Sequence, residues 1–166
     1  MNAHASPSAE PLASTSSLES TLRKIPLTES MHVEVAAYDG RVLTLSAPLA
    51  PNVNDKGCAF GGSIASLLTL AGWGLILLKL EAAQLDCDIY VQDSTIRYLA
   101  PLWGDLRAHA EIASDGPHWD EFLAALAARG RARLHVNCLT PTESGADACT
   151  LVARFVAIVR SRANTG

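Results

Sequence analysis

Polar groups able to bind a substrate oxygen gather in residues 51–63, PNVNDKGCAFGGS. A turn-rich entry runs into Gly61 and Gly62, and the apolar run that follows is long enough for a helix of about five turns. The first backbone N–H groups of such a helix, those of Gly61, Gly62 and Ser63, have no intrahelical partner and lie at the positive end of its dipole. The pattern predicts a site that stabilises negative charge on a bound oxygen. The alternative is that the glycines only permit a tight turn or close packing.

Three further side chains are candidates for catalysis. Asn52 and Asn54 precede the helix, and their amides can donate to an oxyanion or orient a water, although neither can act as a base. The alternative is that they build Asx-turns. Asp93 is the one carboxylate inside a strongly apolar strand, which favours a base or water-orienting role. Otherwise it is a strand charge that pairs with Arg97 or faces solvent.

The face of the predicted helix carries hydroxyl groups. Ser63, Ser66 and Thr69 recur at a spacing of three and are candidates to contact a substrate, although helical Ser and Thr commonly bond back to the preceding turn. No His lies near them in sequence, so a Ser nucleophile has no visible activator. The spacing of His and Cys predicts no metal site.

One basic cluster stands out, formed by Arg129, Arg131 and Arg133. Arginine forks suit phosphate groups or an acidic protein surface, and the alternative is a solvated strand edge. The net charge of −4 and the absence of a basic block exclude nucleic acid as an expected partner.

The surrounding elements predict an α+β domain. Residues 1–16 read as a disordered tail and residues 17–162 as a single domain. A short helix over 17–24, closed by Pro26, precedes a hairpin over 32–46 with an Asp39-Gly40 turn, in which Val33, Val35 and Ala37 share one side and Tyr38 lies on the other. The long apolar helix follows, and then four strands with a helical insert over 117–129, capped by Ser114 or Asp115.

The uncharged run from Gly57 to Leu78 is also long enough to span a membrane. Gly, Ser and Thr interrupt it, and the flanking segments alternate like a soluble antiparallel sheet, so we expect this helix to be buried in protein. Four irregularly spaced cysteines and the lack of a secretory signal predict a cytoplasmic location.

Three motifs together resemble one known fold family. Asn54-x-x-Gly57-x-x-Phe60-Gly61-Gly62, with DSTIRYLAP at 93–101 and ARGRARLHV at 128–136, is similar to the hotdog fold of acyl-thioester enzymes. The likeness is to a bacterial branch labelled thioesterase, which also occurs fused behind an acetyltransferase domain. The resemblance implies an antiparallel sheet wrapped around one long central helix. It further implies a homodimer, or a dimer of dimers, with sites between subunits and the Asn54 loop of one subunit facing the Asp93 strand or central helix of the other.

The resemblance also implies acyl-CoA or acyl-carrier-protein as substrate in fatty acid metabolism, with pantetheine carried by the substrate and no separate cofactor. The three arginines would then bind the pantetheine phosphate or the carrier. Phe60 stands where many hotdog thioesterases have His, and Thr69 where many have a carboxylate, so the usual base is missing. Three functions follow as hypotheses: a thioesterase, a malonyl-carrier-protein decarboxylase giving the acetyl product, and a non-catalytic acyl-thioester binding module.

Overall fold

The computed structural model describes residues 14–160. The helices and strands, in chain order, are α1 (Ser16–Leu22), α2 (Pro26–Met31), β1 (Glu34–Tyr38), β2 (Leu43–Ala47), α3 (Gly61–Ala82), β3 (Cys87–Tyr98), β4 (Leu106–Ile112), α4 (Trp119–Arg129), β5 (Arg131–Pro141) and β6 (Asp147–Val159). A one-turn 3-10 helix, Ala50–Asn52, lies between β2 and α3.

The six strands form one antiparallel sheet in the order β1-β2-β4-β5-β6-β3. The long helix α3 lies on one face of this sheet, which we call the inner face, and contacts β2 through β6. The opposite face is called the outer face. The predicted α+β arrangement, an antiparallel sheet wrapped around one central helix, is confirmed.

Alternation along the strands decides which side chains reach α3. In β5, Ala132, Leu134 and Val136 are buried, whereas the intervening Arg131 and Arg133 are exposed on the outer face. Period-two alternation of this kind is what a strand with one covered face requires. The strands therefore build the core by supplying every second side chain to the helix.

Among residues 14–160, α3 is the one helix that is long and apolar enough to cross a membrane, with a mean hydropathy of 1.7 over an 18-residue window. This is weak evidence for a span, because the core helix of a soluble protein passes the same test. More than half of that window, 56%, is buried inside the protein. Packing against five strands supports the expected burial in protein.

Two local predictions near the chain start need correction. The short helix predicted over 17–24 is present as α1, but Pro26 does not only end it. Pro26 is the first residue of a second helix, α2, at a position where a backbone N–H has no intrahelical acceptor and its absence loses no hydrogen bond. Ser16, predicted to lie in the tail, is helical. Residues 1–13 of the predicted tail, and residues 161 and 162 of the predicted domain, lie outside the described residues.

A β-bulge corrects the predicted faces of the first strand. The register of β1 on β2 shifts between Val35 and Ala37. Simple alternation predicted that Tyr38 and Val35 lie on different faces of the strand. Because of the shift, Tyr38 is instead aligned with Leu43 and is buried, at 7% exposure. One extra residue in a strand reverses the faces beyond it.

The insert helix α4 begins later than predicted. Its N-cap is His118 rather than Ser114 or Asp115, and the Glu121 carboxylate accepts the His118 backbone N–H at 3.1 Å in a capping box. The predicted end is confirmed, since Gly130 caps the helix in the left-handed conformation with φ 68°.

Candidate active site

The loop that leads into α3 is held by backbone hydrogen bonds. The Ala59 N–H donates to the Leu102 carbonyl at 2.8 Å, and the Phe60 N–H donates to the Asn52 carbonyl at 2.7 Å. Phe60 is left in an extended conformation, with φ −69° and ψ 129°, and the helix begins at Gly61. Because both sides of the loop are bonded, the position of the helix start is well defined.

The first N–H groups of α3 are free to bind a ligand oxygen. Those of Gly61, Gly62 and Ser63 lack an intrahelical acceptor, and the N-cap Phe60 supplies no side-chain hydrogen bond. The first turn also carries no acidic residue. The partial positive charge of the helix start is therefore uncompensated by the residues that the structure describes.

Two exposed aromatic rings flank this helix start. The Tyr98 hydroxyl donates to the Gly61 carbonyl at 3.2 Å, and a Cβ added at Gly61 would lie 3.3 Å from the Tyr98 ring. A Cβ added at Gly62 would lie only 2.3 Å from the Phe60 ring. The rings are 57% and 55% exposed, respectively. The two glycines, which have no side chain, thus let these rings approach the helix backbone closely.

Sequence reasoning did not single out Tyr98 as a site residue. Tyr98, Leu99 and Pro101 line an open groove of about 340 Å³ beside Gly61. Trp103, 59% exposed, lies 4.0 Å from where a Cβ of Gly57 would be. No local pattern connects these aromatic residues with the helix start, because the contacts join segments far apart in the chain.

The two asparagines are engaged in holding the loop. Asn52 is 1% exposed, and its Nδ2 donates to the carbonyls of Met31 at 2.9 Å and Pro48 at 2.8 Å. Both of its donor hydrogens are used, so Asn52 has none left for an oxyanion. Asn54 makes an Asx-turn, accepting the backbone N–H of Lys56 at 2.8 Å. The geometry thus gives Asn52 a structural role, in place of the predicted catalytic one.

One of the two side-chain N–H hydrogens of Asn54 has no acceptor among residues 14–160. Its Nδ2 donates to the Cys58 Sγ at 3.2 Å, a weak acceptor, and Asn54 is only half-buried. Its backbone N–H is bonded to the Cys58 carbonyl at 2.8 Å. Asn54 therefore orders the turn that precedes the helix. To donate both side-chain hydrogens to a substrate, its amide would have to break the hydrogen bond to Cys58.

Asp93 lies on the outer face of the sheet, away from α3. It is aligned with Arg154, and its Oδ2 accepts hydrogen bonds from the Arg154 guanidinium, at 2.9 Å from Nε. Tyr98, which contacts the helix start, is five residues further on, or about 16 Å along the strand. Within one subunit, the geometry separates Asp93 from the helix start by distance and by the sheet itself. The predicted role of Asp93 as a base depends on a site shared between two subunits, and it stays a prediction.

Comparison with known proteins identifies the family. Residues 15–159 match the family YiiD_C, described as "Putative thioesterase (yiiD_Cterm)". The chain belongs to this family. The match covers both the helix start and the sheet that surrounds it, so family membership applies to the whole described domain.

Solved structures agree with this assignment. A protein of unknown function from Chlorobaculum tepidum is 26% identical, with a TM-score of 0.83 over 88% of this chain and 94% of that one. A structure from Shewanella oneidensis, described as a putative thioesterase, is 28% identical, with a TM-score of 0.74 over 86% and 99%. A probable thioesterase from Pseudomonas aeruginosa, at 20% identity, shares the fold with a TM-score of 0.75 over 89% and 97%. The predicted hotdog fold is confirmed.

In this member of the thioesterase family, the helix face beyond the first turn offers few free polar groups. Ser66 Oγ donates to the Gly62 carbonyl at 2.8 Å, and Thr69 Oγ1 donates to the Ala65 carbonyl at 2.9 Å. Both are the back-bonds expected of helical hydroxyls. The Ser63 hydroxyl has no hydrogen-bond partner among residues 14–160 and is half-buried beside the free N–H groups. Of the three hydroxyls, Ser63 is the one placed to contact a substrate.

The basic cluster lies at the other end of α3. Arg131 is aligned through β6 with Asp88, at the start of β3, whereas Gly61 contacts Tyr98 at the end of β3. These positions are about 33 Å apart along the strand. The structure does not bring the arginines and the helix start together within one chain.

The arginines nevertheless share a surface. Arg129, Arg131 and Arg133 line an open groove of about 330 Å³ between α4 and β5. Arg133 Nε donates to Gln92 Oε1 at 2.7 Å, which fixes one of the three guanidinium groups. None of the three is in an ion pair with the residues that the structure describes. The cluster can therefore accept an external anion.

Metal ligands are not assembled in the described part of the chain. Across residues 14–160, no group of three or more His, Cys, Asp or Glu side chains is arranged to hold a metal ion. All four cysteines are free and buried. The chemistry available at the helix start is hydrogen bonding by backbone N–H groups, the Ser63 hydroxyl and the flanking aromatic rings.

Proposed function

We propose that this protein is an acyl-thioester hydrolase that binds the thioester carbonyl oxygen at the start of α3. The observation that carries the proposal is the set of free N–H groups at Gly61, Gly62 and Ser63. Membership of a thioesterase family supports the same reaction class. Acyl-CoA and acyl-carrier-protein are the proposed substrates, since both present a thioester on a pantetheine arm.

The proposed chemistry depends on stabilising charge on one oxygen. In hydrolysis, a water oxygen attacks the carbonyl carbon, the C–S bond breaks, and the thiol leaves with a proton. Negative charge develops on the carbonyl oxygen, and preorganised N–H donors lower that barrier, each by a factor on the order of 10²–10³. The dipole of the 22-residue helix adds positive potential at the same point.

The rings of Phe60 and Tyr98 would form the walls of the site. Both are more than half exposed and lie over the glycines whose N–H groups bind the oxygen. An acyl chain or the pantetheine arm would cover these rings and remove them from water. Apolar burial of this kind contributes roughly 25 cal/mol per Å² of covered surface.

A second candidate reaction is decarboxylation of a malonyl thioester. The observation that favours it is the lack of a carboxylate at the site: α3 carries none before Glu81, and Asp93 is on the outer face, bonded to Arg154. Carbon dioxide leaves without a base, and the electrons of the broken C–C bond form an enolate on the thioester oxygen. A proton taken up from water at the α-carbon then gives the acetyl thioester. The same N–H groups would stabilise that enolate.

Product analysis separates the two reactions. The full-length protein is incubated with acetyl- and malonyl-CoA and with the corresponding acyl-carrier-proteins, and free thiol and acyl products are measured by mass spectrometry. Hydrolysis releases one thiol for each thioester consumed. Decarboxylation converts malonyl thioester to acetyl thioester without releasing thiol.

Three results would contradict the proposed hydrolase. Decarboxylation alone would replace it with the second candidate. Saturable binding of acyl-CoA without any turnover would assign the protein as an acyl-thioester binding module. Binding and turnover both absent, in a protein shown to be folded by circular dichroism, would refute the site itself.

We also propose that the protein acts as a homodimer in the cytoplasm. The support is physical: β3 ends the sheet and leaves an edge that is unpaired within residues 14–160. An exposed edge strand is a template for pairing with another chain. A second copy of the same chain satisfies that edge by symmetry.

A further inference from the structure

The free N–H groups at the start of α3 share peptide groups with carbonyls that point into the helix. The N–H of Gly62 is on the same peptide group as the Gly61 carbonyl, and the N–H of Ser63 is on the same peptide group as the Gly62 carbonyl. A helical carbonyl accepts the N–H four residues later, as the Phe60 carbonyl accepts the Ile64 N–H at 3.1 Å. Each of these peptide groups therefore has its carbonyl bonded within the helix and its N–H free for a ligand.

Two of these carbonyls also accept a hydrogen bond from a side-chain hydroxyl. The Tyr98 hydroxyl donates to the Gly61 carbonyl at 3.2 Å, and Ser66 Oγ donates to the Gly62 carbonyl at 2.8 Å. A carbonyl oxygen has two lone pairs, so it can accept the helical N–H and the hydroxyl together. The two hydroxyls thus bond to the two peptide groups that carry the N–H groups of Gly62 and Ser63.

The position of these bonds within the helix decides whether a ligand is affected by them. Thr69 Oγ1 makes the same kind of bond one turn later, to the Ala65 carbonyl at 2.9 Å. The N–H on that peptide group belongs to Ser66, which is inside the helix and has a helical acceptor. In the first turn, by contrast, a bond at the carbonyl acts on an N–H that a ligand can reach.

We propose that Tyr98 and Ser66 are positioning residues that strengthen the N–H donors of Gly62 and Ser63 through the shared peptide groups. Hydrogen bonds in a chain polarise one another, and each is strengthened by roughly 10–30%. A hydroxyl that donates to a peptide carbonyl draws electron density towards the oxygen, which leaves the N–H of the same group more positive. It also holds the peptide plane in one orientation, so the direction of the N–H is set before a substrate binds.

Both hydroxyls are held by regular secondary structure. Tyr98 is the last residue of β3 and is aligned with Cys149 of β6, so strand pairing fixes its backbone. Its hydroxyl can reach the helix because Gly61 has no side chain, and a Cβ there would be 3.3 Å from the ring. Ser66 is half-buried within α3 itself. Polar groups on helices and strands are placed more precisely than groups on loops, as preorganised donors require.

The catalytic value of this arrangement rests on the proposed function, because a stronger donor matters where negative charge develops on a bound oxygen. That charge is greater in the transition state than in the bound substrate, so the hydroxyls should raise kcat and leave KM nearly unchanged. Loss of a whole donor costs a factor on the order of 10²–10³ in rate, so a weakening of roughly 10–30% corresponds to about twofold to eightfold. The enolate of the second candidate reaction would be stabilised in the same way.

Amide NMR tests the polarisation at each peptide group separately. A peptide nitrogen is more shielded when the carbonyl of its own peptide group loses a hydrogen bond, so its resonance moves to lower frequency. Tyr98→Phe, which keeps the aromatic ring, should shift the Gly62 nitrogen in this direction more than the Ser63 nitrogen. Ser66→Ala should shift the Ser63 nitrogen more than the Gly62 nitrogen. The same ranking in both variants, or shifts no larger than those of the controls, would overturn the proposal.

Two other hydroxyl residues provide matched controls, Tyr90→Phe and Ser30→Ala. Tyr90 is on the outer face, 56% exposed, and its hydroxyl makes no hydrogen bond within residues 14–160. Ser30 Oγ donates to the Pro26 carbonyl at 3.1 Å in the separate helix α2, where Ser30 is exposed. Each control removes one hydroxyl of the same type and should leave kcat and both amide resonances unchanged. Thermal unfolding of all four variants, followed by circular dichroism, verifies that each is folded at the assay temperature.

Steady-state kinetics decide whether the polarisation serves catalysis. With the acetyl and malonyl thioesters of CoA and of carrier protein as substrates, kcat should fall about twofold to eightfold in Tyr98→Phe and in Ser66→Ala, with KM nearly unchanged. An unchanged kcat in both variants, or a raised KM alone, would overturn the proposal even if the resonances move. A wild type that is inactive on these thioesters would contradict the proposed function alone, and the amide resonances would then test the polarisation by themselves.

Discussion

Helix α3 contains two sets of closely spaced glycines that differ in their surroundings. Gly61 and Gly62 open the helix, and a Cβ there would meet the exposed rings of Tyr98 and Phe60. Gly72 lies in the middle of the helix, where a Cβ would be 2.9 Å from the ring of Phe155, which is 1% exposed. One set borders solvent and the other borders the core.

The comparison shows that one residue type meets two separate needs in one helix. Inside the core, glycine lets the sheet approach α3 closely, because there is no room for a methyl group. At the helix start, glycine leaves the backbone N–H groups accessible to a ligand. Substitutions at the two positions should therefore separate stability from activity.

The largest expected effect is on activity, from Gly61→Pro. Proline at the first helical position removes one N–H donor without disturbing the helix, and the ψ of 129° at Phe60 is compatible with a following proline. We expect kcat for thioester turnover to fall by about 10²–10³. Gly61→Ala, which keeps the N–H and adds the same Cβ near Tyr98, is the control and should retain most activity. If kcat falls equally in both variants, the contact with the Tyr98 ring matters and the Gly61 N–H donor does not.

Gly72→Ala should give the complementary result, a loss of stability with little change in kcat. The added methyl must displace the Phe155 ring and the Cys138 Sγ, 3.3 Å away, and overpacking of this kind costs about 1–3 kcal/mol. Urea denaturation measures the change. Gly74→Ala meets the methyl groups of Leu18 and Leu43 at 3.0–3.1 Å, slightly farther away than the Phe155 ring is from Gly72, and should cost less. An unchanged midpoint for Gly72→Ala would contradict the assignment of this glycine to core packing.

Charge reversal of Arg129, Arg131 and Arg133 extends the comparison to the far end of the helix. If these arginines bind the phosphate or carrier part of the substrate, the variant should raise KM more than it lowers kcat, because such contacts are equal in the ground and transition states. The effect should shrink at high salt. An unchanged KM for both CoA and carrier-protein substrates would leave the arginines as solvated surface charges.

The smallest expected effect is that of Asp93→Asn. The carboxylate is on the outer face and bonded to Arg154, so its neutralisation should change kcat less than about threefold when the assay concentration keeps the protein dimeric. Light scattering at the assay concentration verifies the dimer. A loss of nearly all activity in a dimeric variant would confirm Asp93 as a base acting across subunits.

Much of the site could be predicted from residues 51–63, because the signal there is local. A glycine pair at the start of an apolar run predicts free N–H groups through helix geometry alone, and the structure has them at Gly61 and Gly62. The asparagines could not be assigned in the same way. Whether Asn52 donates to a substrate or to Met31 and Pro48 depends on segments that the sequence does not place beside it.

Asp93 shows why alternation along a strand can mispredict the face on which a side chain lies. Strict alternation from Ile89 and Val91 would put Asp93 on the inner face, beside α3. The register of β3 on β6 shifts between Val91 and Asp93, and that bulge turns Asp93 outward. The same device turns Tyr38 inward in β1. A bulge is set by how two strands pair, so it leaves no reliable mark in either strand alone.

Local sequence patterns predicted the hairpin, the one-sided strands β4 and β5, and a central helix apolar enough to need burial, but not the short helix α2. These features depend on hydrophobic periodicity and turn residues, which act over a few neighbouring positions. The tertiary structure was needed to show that Tyr98 covers Gly61, that Asp93 faces away from the helix, and that β3 ends the sheet formed by residues 14–160. Those outcomes depend on contacts between distant segments, where a shift of one residue in strand register exchanges the inner and outer faces.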